Sequence, residues 1–438
     1  MKRDLKSRYN KLGSSSKKYS GPDFILPVSR GVKLGFYDKL YFCSLNLSEY
    51  EKSILSHWGH SFGFPESKKF EKESLLLLSS KNPNEAKEDG TQILFPDIFD
   101  VPFPSPTKPK FTFIDLFAGI GGFRIALQRL GGRCVFSSEW NTSAKNTYFS
   151  NYGEMPFGDI TKPSTKNWIP NSFDVLCAGF PCQPFSISGR MKGFNDTRGT
   201  LFFDVCEIIQ KHRPSVVFLE NVKHLVHHDN GNTLSVIIEH LKRLGYTTSW
   251  RLLNASDFGV PQNRERIIIV ATKNAPFNFD LIEKKARVSL NQILDSENNF
   301  EYLSPSSYTL IDNPKCQDSG LIFVGYRNKA IRKAGVRPGT ENLSRVHKQP
   351  NRIYSAKGIH PTLPSQEVSG RYFILTKDMK VRKLTIGECY RLMGFPEEFL
   401  LSPSISDCYK QIGNSVCIPM IEAVGRQIVK NHLKIGIR

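Results

Sequence analysis

Strand-length apolar runs alternate with amphipathic stretches along the chain from residue 111 onward. Five runs rich in β-branched and aromatic residues predict strands at 111–117, 134–139, 173–178, 216–219 and 267–271. Between these runs, apolar residues recur at helical spacing, for example at Leu234, Ile237 and Leu241. The alternation predicts an α/β fold with a mostly parallel, doubly wound, Rossmann-like sheet covered by helices on both faces. Ligands of such sheets bind beyond the carboxyl ends of the strands.

The regular alternation stops near residue 275, so that 111–275 forms the predicted larger domain. Residues 276–380 are rich in Asn, Ser, Pro, Gly and Arg and predict a smaller, irregular domain with short strand-like pieces at 321–324 and 372–375. Ordered patterning returns at 381–408, which we assign to the same small domain. The last segment, 409–438, contains a helix with one apolar face.

Residues 1–110 are predicted to be an N-terminal extension of unknown role that ends in a Pro-rich linker. Within it, 24–55 holds enough apolar residues to pack. The stretch 66–90 is charged and is predicted to form loops. We interpret the extension as a basic arm or small accessory domain that touches DNA or the main body.

The charge balance points to a polyanionic partner. Lys and Arg outnumber Asp and Glu by 60 to 41 in the 438 residues, which gives a net charge of +19. Duplex DNA carries about one charge per 1.7 Å, and counterion release rewards a cationic surface. Charge alone does not separate DNA from RNA or from an anionic membrane.

Cysteine usage predicts reduced thiols and no metal site. The nine cysteines include no Cys-x-x-Cys pair and no Cys/His cluster at metal-ligand spacing, so zinc and a disulfide framework are both disfavoured. Reduced thiols fit a cytoplasmic setting. The basic N-terminus is followed by no apolar signal region, and no apolar run reaches spanning length, which predicts a soluble protein without a membrane partner.

Four short motifs lie at or beside the ends of the predicted strands. They are the glycine-rich turn at 113–122, the Pro181-Cys182 corner within 179–186, the Glu-Asn-Val segment 220–222 and the Gln-Asn-Arg-Glu-Arg segment 262–266. In this order the set resembles the DNA (cytosine-5)-methyltransferase family, and the resemblance runs from about Phe111 to about Gln427. It implies that the last helix packs back onto the larger domain.

The resemblance implies that S-adenosylmethionine is the cofactor. The glycine spacing departs from G-x-G-x-x-G, which disfavours a nicotinamide dehydrogenase. Glu139 can accept both ribose hydroxyls, Trp140 can stack on an adenine, and Asp159 can accept from its amino group. The alternative for Trp140 is a core tryptophan. The cofactor contacts implied by the family are Phe117, Gly119, Gly121, Glu139, Trp140, Asp159, Ile160 and Asn414.

The resemblance also implies covalent catalysis, because C5 of cytosine is a poor nucleophile until a thiolate adds to C6. Cys182 is the expected nucleophile, and nearby positive charge must favour its thiolate. Glu220, as a neutral acid with a raised pKa, would donate to N3. Arg266 would hold the base O2, and Arg264 would orient the Glu or a phosphate, with a solvated charged turn as its alternative. No residue stands out as the base that removes the C5 proton, and water is a candidate.

The target carbon is inaccessible in a duplex, so the base must be flipped into the pocket. The segment 183–200 resembles a closing loop, in which Ser186, Arg190 and Arg198 would contact phosphates; a plain surface charge is the alternative for Arg198. Bases would be read from 276–380, with Arg327, Arg345 and Arg352 as candidate DNA-binding residues. This stretch is similar to that of members acting on GGNCC or GGWCC sites. His347 and His360 are expected to be structural or to contact phosphates.

The favoured hypothesis is a monomeric, site-specific bacterial DNA methyltransferase that acts on double-stranded DNA and protects it in a restriction-modification system. A cognate restriction endonuclease would be a functional partner without necessarily being a physical one. The alternative with the same chemistry is a tRNA cytosine-5 methyltransferase, which the long insert disfavours. A non-catalytic DNA-binding protein is disfavoured by the intact Cys182, Glu220 and Arg266.

Overall fold

A twisted six-stranded sheet, built from buried strands, organises the larger part of the chain. The computed structural model describes residues 47–61, 63–81, 101–181, 201–296, 300–329, 339–365 and 372–433. The sheet strands are β1 (Phe111–Leu116), β2 (Gly132–Ser138), β3 (Val175–Ala178), β4 (Val216–Val222), β5 (Thr247–Asn254) and β7 (Glu265–Thr272). Their order is β2-β1-β3-β4-β7-β5.

The strands β1 to β4 pair in parallel, whereas β7 is antiparallel to both β4 and β5. The predicted mostly parallel α/β sheet is therefore confirmed, with two differences in detail. The run at 267–271 belongs to the inverted strand β7. The strand β5 was not predicted, because it forms the sheet edge and many of its side chains are exposed, so it lacks a continuous apolar run.

Helices cover both faces of the sheet. Those of the larger part are α3 (Gly122–Arg129), α4 (Thr142–Tyr152), α5 (Pro163–Lys166), α6 (Leu201–His212) and α7 (Asn232–Arg243). Alternate side chains of a strand point to opposite faces, so Val216 and Phe218 join one apolar cluster while Val217 and Leu219 join the other.

The helices α8 (Ile386–Arg391), α9 (Ile405–Asn414) and α10 (Ile418–Asn431) come last along the chain. Ile421, Val424 and Ile428 of α10 are buried in the same cluster as Ile125 of α3. The C-terminal helix thus packs back onto the first part of the sheet, as the resemblance implied.

Two N-terminal helices, α1 (Glu49–Ser61) and α2 (Lys68–Lys81), form a hairpin against the sheet. The prediction of loops over 66–90 is wrong for α2. The buried stripe of α2 consists of Phe70 and Ser74 among charged neighbours, too narrow to stand out as an amphipathic pattern.

The segment predicted to be irregular contains a five-stranded sheet in the order β13-β12-β10-β9-β8. Its strands are β8 (Tyr308–Leu310), β9 (Phe323–Arg327), β10 (Arg352–Ser355), β12 (Phe373–Leu375) and β13 (Val381–Lys383). These strands of three to five residues are too short to give a clear periodicity, which is why β8 and β10 were missed. The short strands β6 (Gln262–Asn263) and β11 (His360–Pro361) pair in parallel and join this region to the entry of β7. Across the described ranges, no helix combines the length and the apolar character needed to cross a membrane.

Candidate active site

A cavity of about 870 Å³ opens at the edge of the sheet where β1 to β4 end. Ten of the residues predicted from sequence line it: Phe117, Gly119, Glu139, Trp140, Asp159, Ile160, Glu220, Arg264, Arg266 and Asn414. Arg264 and Arg266 reach this edge because β7 runs opposite to its neighbours, so that its beginning lies beside their ends. The volume falls within the range of about 300–1,000 Å³ that is usual for small-molecule sites.

The turn between β1 and α3 forms one wall of the cavity with strained backbone. Phe117 adopts a positive φ of 56°, which is uncommon for a non-glycine residue. Gly121 is not among the residues that line the cavity, although it was predicted to contact the cofactor. Its φ is 83°, and an added Cβ would lie 2.4 Å from the Tyr152 ring, so the turn itself requires glycine here.

Glu139 is fixed at the end of β2 by backbone amides. Its Oε2 accepts a hydrogen bond from the Gly119 N–H at 2.9 Å, and its Oε1 accepts one from the Asn141 N–H at 2.8 Å. Burial raises the pKa of Glu139, and the bonds from Asn141 and Gly119 offset part of this rise. The carboxylate is therefore held in one orientation at the cavity wall.

The indole of Trp140 is open to solvent at the same wall. It is 78% exposed, so the alternative of a core tryptophan is wrong. A large exposed aromatic side chain beside a carboxylate is suited to stacking on a planar ring. Asp159 accepts a hydrogen bond from the Thr161 N–H, and Ile160 is buried beneath the cavity floor.

Glu220 and Arg266 form a buried ion pair on the opposite wall. The Arg266 Nε lies 3.0 Å from the Glu220 Oε1, and both side chains are only about a tenth exposed. Burial raises the pKa of Glu220, while the Arg266 and Arg264 guanidinium groups offset part of that rise. The net direction agrees with the raised pKa expected from sequence for a carboxyl that donates a proton.

Arg264 is a buried cross-link between three segments of the chain. It is 1% exposed and donates hydrogen bonds to the carbonyls of Leu363, Gly413 and Ser415. Burial lowers its pKa to about 9, and the like charge of Arg266 acts in the same direction. The solvated-turn alternative is wrong, because the side chain is buried, while the predicted orientation of Glu220 or a phosphate by Arg264 stays a prediction. The hydrogen bonds of Arg264 to the Gly413 and Ser415 carbonyls position the segment that carries Asn414.

The exit of β3 leads directly to the predicted nucleophile. Gly179, Phe180 and Pro181 line the cavity, and the Asn221 side-chain amide donates to the Phe180 carbonyl at 2.8 Å. Asn221 thus anchors the residues that precede Cys182. Cys182 itself, together with the predicted phosphate contacts Ser186, Arg190 and Arg198, lies outside the described residues.

None of the cysteines within the described ranges has the features of a nucleophile at this site. Burial raises the pKa of the thiols of Cys134, Cys177, Cys206, Cys408 and Cys417. A buried thiol with a raised pKa is poorly reactive. Cys389 is buried, and the exposed Cys316 does not line the cavity.

The helix α9 lines the cavity with the predicted Asn414 and with three residues that the sequence analysis missed, Asp407, Lys410 and Gln411. Asp407, Lys410, Gln411 and Asn414 all line it, at positions i, i+3, i+4 and i+7 of one helix face. This polar stripe was the available signal. Gln411 also donates to the Ser143 carbonyl and accepts from the Thr147 hydroxyl, which ties α9 to α4.

Of the candidate DNA-reading residues, Arg327 and Arg352 lie on strands of the second sheet and Arg345 lies in the 3-10 turn Ser344–Val346, and none of them lines the cavity. The Arg327 guanidinium lies 5.2 Å from the Phe373 ring centre, and the Arg352 Nε donates to the His347 carbonyl. Arg345 is exposed. His347 is buried and stacks on Tyr326 at 4.0 Å, which fits the structural role expected for it.

His360 is likewise buried, and burial lowers its pKa to about 4, so a structural role fits it as well. Over the described part of the chain, no group of three or more His, Cys, Asp or Glu side chains is arranged to hold a metal ion.

Comparisons with known proteins agree with this geometry. The model of the C-5 cytosine-specific DNA methylase family matches residues 111–430. The type II methyltransferase M.HpaII of Haemophilus parainfluenzae is 43% identical over 337 residues, covering 74% of this chain and 90% of that protein. M.HhaI of Haemophilus parahaemolyticus is 42% identical over 323 residues, covering 72% of this chain and 93% of that protein.

Among solved structures, the Dnmt2 methyltransferase of S. pombe aligns with a TM-score of 0.51 over 74% of this chain and 99% of its own. At 16% sequence identity this likeness concerns the fold alone.

Proposed function

Because the chain belongs to the family of C-5 cytosine-specific DNA methylases, we propose that it transfers a methyl group from S-adenosylmethionine to a flipped-out cytosine through a covalent Cys182 adduct. The chain is a DNA (cytosine-5)-methyltransferase, and its relatives are type II enzymes of restriction-modification systems. The observation that carries the finer proposal is that one cavity is lined by both the Glu220–Arg266 pair and the Glu139–Trp140 corner.

The residues at the β1 and β2 ends fit an adenosine group. The Glu139 carboxylate faces the cavity as an acceptor for ribose hydroxyls, and the exposed Trp140 indole offers a stacking surface for adenine. Asp159 offers an acceptor for the adenine amino group. When bound, S-adenosylmethionine supplies an electrophilic methyl group on a sulfonium sulfur. Asn414, at the end of α9, would contact it from the opposite side.

The chemistry of the base falls to Cys182, Glu220 and Arg266. The Cys182 thiolate adds to C6 of the ring, and the electron pair of the C5–C6 double bond becomes available at C5 for capture of the methyl group. Glu220, whose pKa burial raises, acts as the acid that donates to N3 and offsets the charge that builds there. Arg266 holds O2. Removal of the C5 proton then expels the Cys182 thiolate and restores the ring.

Duplex DNA as the substrate fits the excess of basic residues in the chain. The base must leave the stack to reach a cavity walled by β-strand ends. We assign recognition of the target sequence to 276–380, including Arg327, Arg345 and Arg352, and phosphate contacts to Ser186, Arg190 and Arg198. The type II names of the relatives support DNA over the tRNA alternative and a protective role beside a restriction endonuclease.

The test is a trapping experiment with a duplex that carries 5-fluorocytosine at the methylated position. Fluorine at C5 leaves no proton to remove, so the adduct cannot resolve. We expect a DNA–protein species that survives denaturing electrophoresis and requires S-adenosylmethionine. Cys182→Ser should abolish it, and Cys316→Ser, which changes an exposed thiol away from the cavity, should leave it intact. An equal adduct with Cys182→Ser would refute the covalent mechanism.

A further inference from the structure

The α1–α2 hairpin is integrated into the core, although it precedes the region that matches the family. Ile54, Leu55, Trp58 and Phe70 are almost fully buried in the cluster that contains strands β1 to β3. Ion pairs join Glu49 to Lys145, at 2.8 Å, and Glu66 to Arg133. A hairpin held this way moves with the sheet rather than as an independent arm.

Two hydroxyl groups of α1 are hydrogen-bonded to one short segment, 155–157, which precedes the cavity residues Gly158, Asp159 and Ile160. The Ser53 hydroxyl donates to the Pro156 carbonyl at 3.0 Å. The Ser56 hydroxyl accepts from the Met155 N–H at 3.0 Å. All these groups are buried, where an unmade hydrogen bond is costly.

His57 connects α1 to Ser137 of β2, the residue whose carbonyl accepts from the Phe157 N–H. Its Nδ1 lies 2.8 Å from the Ser53 carbonyl and its Nε2 lies 3.3 Å from the Ser137 amide nitrogen. This pattern requires a neutral imidazole with the proton on Nδ1. Burial lowers the pKa of His57, which keeps the ring in that neutral form.

Aromatic rings of both helices enclose Phe157. The His57 ring lies 4.7 Å from the Phe157 ring, and Trp168 stacks on the latter at 5.6 Å and 14°. Phe70 of α2 stacks in turn on Trp168 at 5.7 Å and 9°. Such stacked pairs contribute beyond the area they bury, so the position of Phe157 depends on both helices.

The backbone of Phe157 is hydrogen-bonded to the end of β2 and to Glu139, which lines the cavity. Its carbonyl accepts from the Glu139 N–H at 2.9 Å, and its own N–H donates to the Ser137 carbonyl at 2.9 Å. Gly158, Asp159 and Ile160 follow immediately and line the cavity. A displacement of Phe157 would therefore move Glu139 and Asp159 together.

We infer that the α1–α2 hairpin is a built-in positioning element for the cofactor end of the cavity. Ser56 and Phe70 are its positioning residues, and they act on Glu139 and Asp159 through the segment 155–157. Neither residue touches the cavity itself. The inference rests on the proposed cofactor, and it predicts an effect on cofactor affinity that is separate from DNA binding and from the methyl-transfer rate.

The test compares two fully buried serines of the hairpin in the full-length chain. Ser56→Ala removes the hydroxyl that holds Met155. Ser74→Ala removes a hydroxyl of α2 that has no hydrogen-bond partner in the described part of the chain. Binding of S-adenosylhomocysteine is measured by calorimetry, together with KM for the methyl donor, kcat and the affinity for duplex DNA.

We expect Ser56→Ala to weaken S-adenosylhomocysteine binding and raise KM for the donor about five-fold, the equivalent of one lost hydrogen bond. The value of kcat and the DNA affinity should stay at the wild-type level, and Ser74→Ala should bind like wild type. If Ser56→Ala does not fold, Phe70→Leu, which removes the stack on Trp168 and keeps an apolar side chain, should give the same split.

Two outcomes would overturn the inference. One is wild-type affinity for S-adenosylhomocysteine in both Ser56→Ala and Phe70→Leu. The other is an equal loss of S-adenosylhomocysteine affinity in Ser74→Ala, when Ser74→Ala and Ser56→Ala have the same melting temperature. That result would mean that the loss in Ser56→Ala reflects general destabilisation. A wild-type chain that does not bind S-adenosylhomocysteine would instead remove the proposed cofactor, and the inference with it.

Discussion

The Glu220→Gln variant tests the acid role most directly, because it keeps the shape of the side chain and removes its proton. Glutamine retains an oxygen that can accept from the Arg266 Nε, which lies 3.0 Å from Glu220 Oε1 in the wild type. An amide at this position has no acidic proton to share with the ring N3. General acid catalysis contributes roughly 10²–10⁴-fold, so we expect the single-turnover rate to fall by that factor.

The free energy of unfolding of Glu220→Gln should increase relative to that of the wild type as the pH rises. Burial raises the folded-state pKa of Glu220 above its ordinary 4.5, even with Arg266 beside it. A carboxyl with a raised pKa contributes stability below its unfolded pKa, and that contribution is lost as the pH rises through the folded value. Each pKa unit corresponds to about 1.4 kcal/mol. Since glutamine does not titrate, the variant should gain stability relative to wild type as the pH rises above 4.5.

The assay has three readouts for the same protein. They are methyl transfer from a radiolabelled donor under single-turnover conditions, binding to the target duplex with S-adenosylhomocysteine present, and urea unfolding at several pH values. We expect a large loss in the first, little change in the second and the stated trend in the third. Equal losses in rate and DNA affinity would refute the acid role. A stability difference between variant and wild type that does not change with pH would refute the reasoning about burial.

Two further predictions concern the cofactor wall and the buried charge behind it. Trp140→Ala should weaken S-adenosylhomocysteine binding by about 5- to 150-fold, the equivalent of one lost base–aromatic stack, with an unchanged melting temperature because the indole is 78% exposed; calorimetry and thermal melts check both. In Glu154, burial acts to raise the pKa, but the Arg124 guanidinium together with other polar neighbours, among them the Ser137 hydroxyl, outweighs it and lowers the pKa to about 2, so the ionised carboxylate stabilises the fold above its ordinary pKa of 4.5 and this contribution is lost as the pH falls toward 2. Glu154→Gln should therefore cost about 3 kcal/mol at pH 7, with the difference from wild type closing between pH 4.5 and 2 in urea titrations; a pH-independent difference would contradict this.

The residues that line the cavity could be predicted because the sheet brings local motifs to one edge. Glu139, Asp159 and Glu220 each follow or end a buried run, and parallel strands place such positions together whatever the loops between them do. Arg266 reached the same edge for a reason that the sequence did not show. Its strand β7 is antiparallel to β4, so residues at the beginning of β7 lie beside the end of β4.

What the sequence could not show were contacts between distant segments. Arg264 resembles a surface charge in a polar motif, but its three acceptors come from residues 363, 413 and 415, and only the folded chain brings them together. Likewise, Ser53 and Ser56 are ordinary helix serines until their partners near residue 155 are known. Periodicity reports which face of a helix is apolar, and it carries no information about what that face meets.

Burial raises the pKa of both cavity glutamates, and the two differ in the partners that offset this rise. Glu139 accepts from two backbone N–H groups at 2.8 and 2.9 Å, and such donors stabilise an acceptor-only carboxylate. Glu220 is paired with the side chain of Arg266, which a bound base would also approach. Base binding can therefore draw the guanidinium toward the ring oxygen and leave a buried carboxyl whose neutral form is favoured. Under the proposed function, the ribose would meet a rigid acceptor at Glu139, whereas the base would meet a carboxyl whose partner can be shared.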